Sequence, residues 1–182
     1  MNIIETSLSG VTIIEPDVFG DARGYFMETW HKDKFSSMGI DFNFVQDNQS
    51  YSVKNTLRGL HYQIKNIQGK LVRVVSGEIF DVAVDIRRTS PCFGKWTGQL
   101  LSSDNKKMLW VPPGFAHGLL VVSETAEVLY KCTDFYAPEH ERSLAWNDKN
   151  VEIDWPLDEG VLPTLSEKDR QGKILNEIEK FT

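Results

Sequence analysis

The sequence predicts a mainly β fold, an antiparallel jelly-roll β-sandwich or barrel with short N-terminal and C-terminal helices. Short runs rich in β-branched and aromatic residues recur along the 182 residues, broken by turn residues at intervals of about ten, a spacing that belongs to a sandwich or barrel. Helical periodicity is confined to two stretches. At about 100–200 residues per domain, the length reads as a single domain over residues 1–182.

The predicted strands cover 11–15, 44–53, 57–63, 71–75, 79–86, 96–101, 107–111, 118–122 and 127–135. The clearest hairpin joins 71–75 to 79–86 through Ser76-Gly77-Glu78. In its second arm Phe80, Val82, Val84 and Ile86 alternate with Asp81, Ala83 and Asp85, which predicts one core face and one polar face. One helix is predicted over 29–38, stopped by Gly39. The other spans 166–181; it opens on the capping-box-like Ser166-Glu167-Lys168-Asp169 and carries Ile174, Leu175 and Ile178 on one stripe.

Composition narrows the function classes. Lys and Arg total 20 against 26 Asp and Glu, a net charge of −6 that argues against a broad nucleic-acid or anionic-membrane surface. With 41% hydrophobic and 25% charged residues, the chain is too apolar for disorder. Its first residues lack a basic segment followed by an apolar one, and no run of about 18 apolar residues occurs. Cys92 and Cys132 form neither a disulfide framework nor a CxxC pair, so both are expected reduced, in a cytoplasmic protein.

Four histidines bear on chemistry. His31 and His140 sit among charged residues and read as surface groups, whereas His61 and His117 lie in apolar, glycine-flanked β contexts. A buried histidine is usually a hydrogen-bonded core residue, so the neighbours decide. Strand alternation would put Arg58 and His61 on opposite faces, but Gly59 between them is a bulge point that could turn both into one cavity. Lys70 shares parity with Val72 and Val74, which makes it either a snorkelling strand-end residue or a cavity cation. His117 follows the rigid turn Val111-Pro112-Pro113-Gly114, and Pro112-x-Gly114-x-x-His117 resembles half of a cupin metal signature. The other half would need a paired His-x-His and a carboxylate, yet the chain reads His61-Tyr62-Gln63 there, which predicts a cupin-like barrel without its metal.

Polarising a substrate then falls to side chains. Tyr130 and Tyr136 share parity and would both face the barrel interior if their strand stays regular; otherwise each is an amphipathic core tyrosine. Asp169 has an equally plain structural reading, because three residues after Ser166 it can simply close a helix start.

Taken together, Arg23-Gly-Tyr-Phe26, Gln46-Asp-Asn48-Gln-Ser50, Arg58-Gly-Leu-His61-Tyr-Gln63, Gln68-Gly-Lys70-Leu-Val-Arg-Val, Gly77-Glu-Ile-Phe-Asp-Val-Ala-Val-Asp85, Pro113-Gly-Phe-Ala-His117-Gly118, Tyr130-Lys-Cys-Thr and Leu165-Ser-Glu-Lys-Asp169-Arg closely resemble the dTDP-4-dehydrorhamnose 3,5-epimerase family. So many blocks in order, from near the N-terminus to the tail, are far more specific than one short motif. The resemblance implies a metal-free, cofactor-free, cupin-like jelly roll, a homodimer, acting on a dTDP-4-keto-6-deoxyhexose on the route to dTDP-L-rhamnose. It further implies His61 as the base at C3 and C5, Asp169 as its orienting carboxylate, Tyr130 as the acid on the opposite face and Lys70 as the cation at the C4 oxygen. Arg58 and His117 would line the sugar and diphosphate region; Arg23, Glu28, Gln46, Asn48, Glu141 and Lys168 would hold the nucleotide sugar; Tyr136, Phe19 and Phe26 would contact the thymine end. The alternatives are an epimerase inverting only one carbon, a metal-dependent cupin enzyme, and a nucleotide-sugar-binding module without turnover.

Overall fold

The computed structural model describes residues 1–179. Thirteen strands run in chain order as β1 (Asn2–Glu5), β2 (Thr12–Glu15), β3 (Val18–Asp21), β4 (Gly24–Met27), β5 (Gln46–Val53), β6 (Leu57–Gln63), β7 (Lys70–Ser76), β8 (Glu78–Asp85), β9 (Trp96–Ser102), β10 (Met108–Val111), β11 (Phe115–Val121), β12 (Thr125–Cys132) and β13 (Glu141–Ser143), with helices α1 (Lys32–Ser37) and α2 (Glu167–Arg170). A six-stranded sheet in the order β1-β2-β10-β7-β12-β5 faces a five-stranded sheet in the order β13-β6-β11-β8-β9, and β3 and β4 form a separate hairpin. The mainly β, cupin-like expectation is borne out.

Each sheet is covered on its inner face and over part of its outer face, while the outer side of β5 with Tyr51 and Val53 stays exposed. Val72, Val74, Leu109 and Val128 of one sheet meet Ile79, Ala83, Leu119 and Val121 of the other in the inter-sheet core. On the outer face of the five-stranded sheet, Leu57, Leu60, Val82, Val84 and Leu120 pack under Trp155, Leu175 and Ile178 from the C-terminal segment. The opposite outer face buries Ile14, Leu71, Met108 and Trp110 against Phe35 of α1 and Ile40.

Four local expectations are corrected by this arrangement. The two arms around Gly77 are not a paired hairpin: β7 bonds to β10 and β12 while β8 bonds to β11 and β9, so the turn is a corner between sheets. For that reason the face of β8 carrying Asp81, Ala83 and Asp85 is not solvated but turns into the barrel, and all three residues are buried. The tail is helical only over Glu167–Arg170; beyond it Leu175 and Ile178 still anchor in the core, Ile174 is exposed, and Phe181 lies outside the described residues. The first helix is likewise shorter than its periodicity suggested, though Gly39 ends it with a positive φ of 86°.

Candidate active site

The site forms where polar residues replace aliphatic ones on the inner faces of both sheets. From the five-stranded sheet come His61 and Arg58 on β6 and His117 on β11; from the six-stranded sheet come Lys70 on β7, Tyr130 on β12, and Gln46, Asn48 and Ser50 on β5. Together with Gln68, Leu119, Tyr136, Glu141, Ser166, Lys168 and Asp169 they line a cavity of about 520 Å³.

Gly59 makes this convergence possible. Its φ of 128° lies outside the range side-chain-bearing residues favour, and a Cβ there would sit 2.5 Å from Gly118 Cα. The β6–β11 ladder shifts register at this point, so His61 stands opposite His117 while Arg58 pairs with Leu119. One extra residue therefore puts Arg58 and His61 on the same cavity, as Gly59 suggested. Arg58 Nε donates to Ser52 Oγ at 2.9 Å, which fixes the guanidinium.

His61 Nε2 lies 2.6 Å from Asp169 Oδ1. The same oxygen accepts the Gly59 N–H, and Oδ2 accepts the Ser166 hydroxyl at 2.6 Å within a complete capping box. Both readings of Asp169 are thus true at once, one oxygen serving the helix start and the other the histidine. Burial alone would raise the Asp169 carboxyl, but bonds from His61, Ser166 and Gly59 outweigh it and hold the pKa at about 2 against an ordinary 3.8. Burial pulls the His61 imidazole below its ordinary 6.5; the bond to Asp169 opposes this, and Lys168 and Lys70 add to it. A neutral imidazole donating Nε2–H to a carboxylate leaves Nδ1 as the basic nitrogen.

Across the cavity, Lys70 begins β7 next to Gly69, whose N–H donates to the Thr133 side-chain Oγ1 and whose carbonyl accepts the Thr133 N–H. Among the described residues no carboxylate forms an ion pair with its ammonium, and burial pulls its pKa down. Burial raises the Tyr130 phenol, with Cys132 and Glu141 adding to the shift, so the hydroxyl keeps its proton at neutral pH. A second imidazole–carboxylate contact joins His117 Nε2 to Asp81 Oδ1 at 2.8 Å, deep in the wall. At the rim Glu141 accepts both Lys168 Nζ and the Tyr136 hydroxyl, each at 2.9 Å. Tyr136 lies past the end of β12, so strand parity did not place it, yet it lines the cavity.

The family model for dTDP-4-dehydrorhamnose 3,5-epimerase matches residues 5–177. A Pseudomonas aeruginosa protein of that name is 54% identical over 182 residues, covering 100% of this chain and 99% of its own. A crystal structure of the Legionella pneumophila dTDP-6-deoxy-D-glucose-3,5-epimerase, in complex with dTDP-4-keto-L-rhamnose, superposes with a TM-score of 0.94 at 51% identity, covering 98% of this chain and 94% of that one. The chain belongs to the dTDP-4-dehydrorhamnose 3,5-epimerase family. The fold also accommodates a narrower reaction: a 3′-monoepimerase from Streptomyces bikiniensis matches at 31% identity and a TM-score of 0.87, covering 94% of this chain and 86% of its own.

In this epimerase, eleven residues singled out from sequence, His61, Tyr130, Asp169, Lys70, Gln46, Asn48, Arg58, His117, Tyr136, Glu141 and Lys168, line one cavity. Phe19, Arg23, Phe26 and Glu28 do not. Phe19, Arg23 and Phe26 belong to the β3–β4 hairpin, where Phe19 and Phe26 are 65% and 70% exposed, while Glu28 pairs with Lys34 at 2.8 Å. Sequence reasoning missed Gln68, Ser52 and above all Asp81, whose parity assigned it to the polar face and away from the core. A signal existed: Trp146, Trp155, Leu157 and Leu165 in the C-terminal segment need an apolar face to cover, and β8 offers it on the side opposite Asp81. Among the described residues, no group of three or more His, Cys, Asp or Glu side chains is arranged to hold a metal ion.

Proposed function

We propose that the enzyme inverts C3 and C5 of dTDP-4-dehydro-6-deoxy-D-glucose through an enolate, giving dTDP-4-dehydro-L-rhamnose for dTDP-L-rhamnose synthesis, with His61 as base and Tyr130 as acid. One observation carries the assignment: the carboxylate-bound imidazole projects from one sheet, and the protonated phenol and the unpaired ammonium from the other, into the same cavity. Inversion needs that opposition, because a base that returned its own proton to the same face would restore the starting configuration. His61 Nδ1 takes the proton α to the ketone, and the electron pair moves to the C4 oxygen. Lys70, half-buried and without an ion-pair partner among the described residues, gains its ion pair only as that oxygen becomes negative, so the interaction strengthens toward the transition state. Tyr130 then delivers its proton to the opposite face, and the carbonyl re-forms.

Arg58 and His117 suit the sugar and diphosphate region, since a guanidinium fork matches phosphate oxygens. Gln46, Asn48, Glu141 and Lys168 hold the nucleotide sugar, and the Tyr136 ring meets the thymine. The exposed aromatic faces of Phe19 and Phe26 support a homodimer in which Arg23, Glu28 and these two rings serve the site of the other copy. The reaction needs neither metal nor cofactor in this reading, because Lys70 lines the cavity and supplies the positive charge that the developing C4 oxyanion requires. The chain acts as one catalytic domain in the cytoplasm, where Cys92 and Cys132 stay reduced; no described helix is long and apolar enough to cross a membrane.

Incubation of the ketosugar nucleotide in D₂O tests the assignment. Deuterium enters both C3 and C5 with wild-type protein; entry at one carbon alone would reassign it to the monoepimerase reaction, and entry at neither, with dTDP still bound, would make it a binding protein.

A further inference from the structure

Each inversion leaves the site out of balance. The C–H bond breaks toward His61 and the new one forms from Tyr130, so His61 ends one proton up and Tyr130 one proton down. A second inversion at the other carbon needs both restored. The two groups stand on facing sheets with the sugar between them, so the proton cannot cross directly.

Glu141 is placed to carry it around. In the β13–β6 ladder Ser143 stands opposite His61 and Glu141 opposite Gln63, which makes Glu141 and His61 diagonal neighbours on one face, within reach of long side chains at roughly 7–8 Å. A small chamber of about 20 Å³ lies against His61, Glu141, Gln68 and Lys70. That is room for one water, with polar partners on several sides. From the far side Glu141 accepts the Tyr136 hydroxyl at 2.9 Å, and both residues also face the main cavity that Tyr130 lines.

We propose that this water, Glu141 and the Tyr136 hydroxyl form a proton-return path that resets His61 and Tyr130 between the two inversions. This rests on the double-epimerase reading above. The imidazolium gives its proton to the water, which passes one to Glu141. Glu141 gives it to the Tyr136 oxygen as the Tyr136 proton moves, through a cavity water, to the Tyr130 phenolate. His61 ends neutral and Tyr130 protonated, while Glu141 and Tyr136 are unchanged. Lys168, bonded to both Glu141 oxygens, keeps the carboxylate in place. Glu141 is in this role a positioning residue, acting on the reaction through His61 and Tyr136.

The test compares wild type with Glu141→Gln and Tyr136→Phe in D₂O, following singly and doubly inverted product by NMR at early times, with melting curves and dTDP binding as controls for folding. In both variants the ratio of doubly to singly inverted product falls roughly tenfold or more, with deuterium confined to one carbon of the accumulating species. A weaker grip on the nucleotide also releases singly inverted product early, but it lowers dTDP affinity in proportion, so a ratio that falls with dTDP affinity unchanged is the expected result and one that falls only in step with lost affinity overturns the relay. If both variants keep the wild-type ratio, even at lower total turnover, the reset runs through bulk solvent and the relay is wrong. Exchange at neither carbon in wild type would instead overturn the double-epimerase reading itself.

Discussion

Asp169 divides its two oxygens between a helix cap and a histidine, and that division sets its pH behaviour. Its folded pKa of about 2 lies below the ordinary 3.8, so its contribution to stability is complete above 3.8 and is lost as pH falls toward 2. The shift is worth on the order of 2 kcal/mol. His61 acts in the same direction at higher pH. Its folded pKa is depressed below 6.5, so between those values the unfolded chain binds more protons and stability drops as pH falls. Thermal melts from pH 7 to 2 should therefore show two descents, and His61→Asn should remove the upper one. The acid limb of kcat/KM should lie below pH 6.5, since the free enzyme needs a neutral imidazole. Asp169→Asn, which deprives Nε2–H of its ionised acceptor, should lower kcat by about 10²-fold or more with little change in dTDP affinity.

At the scale of elements, the site depends on a close crossing of β6 and β11 and on a four-residue helix. Gly59→Ala would add a Cβ 2.5 Å from Gly118 Cα at a φ of 128°, and neither backbone can retreat without breaking the ladder that aligns His61 with His117. It should cost about 2 kcal/mol or more in urea unfolding, together with catalysis. Ser166→Ala removes the α2 cap and frees Asp169 Oδ2, costing about 1 kcal/mol. The activity loss should exceed what melting at assay temperature explains, because Asp169 is then held by fewer bonds.

For the whole molecule, the C-terminal segment unites stability with chemistry. Leu175 and Ile178 seal the outer face of the five-stranded sheet, and the Leu175 N–H is tied to the buried Asp148, so the chain that closes the core also delivers Asp169 and Lys168 to the cavity. The β3–β4 hairpin joins neither large sheet, and Arg23 at its tip is almost wholly exposed. Sedimentation should find a dimer, and mixing inactive His61→Asn with inactive Arg23→Ala chains should restore turnover that neither has alone. A persistent lack of activity in the mixture would return the hairpin to its own subunit. Prolonged chelation should leave kcat unchanged.

The order of polar blocks on a β pattern was legible because hydrophobic alternation and turn chemistry are local. Gly59, Lys70 and His117 could be singled out because each breaks an apolar face in a way that demands a reason. Alternation alone determined that Asp81 and Val82 face opposite ways, but which of the two faces inward depends on what covers the outside, and that cover arrives some 70 residues later as Trp155 and the tail. In the same way Ser76-Gly77-Glu78 announced a turn, while only the packing of two sheets made it a corner instead of a hairpin. Sequence by itself determined the residues, their parity and the family's chemistry. The tertiary structure decided which side chains share a cavity, because burial is a property of the surfaces that meet and not of the strand that carries them.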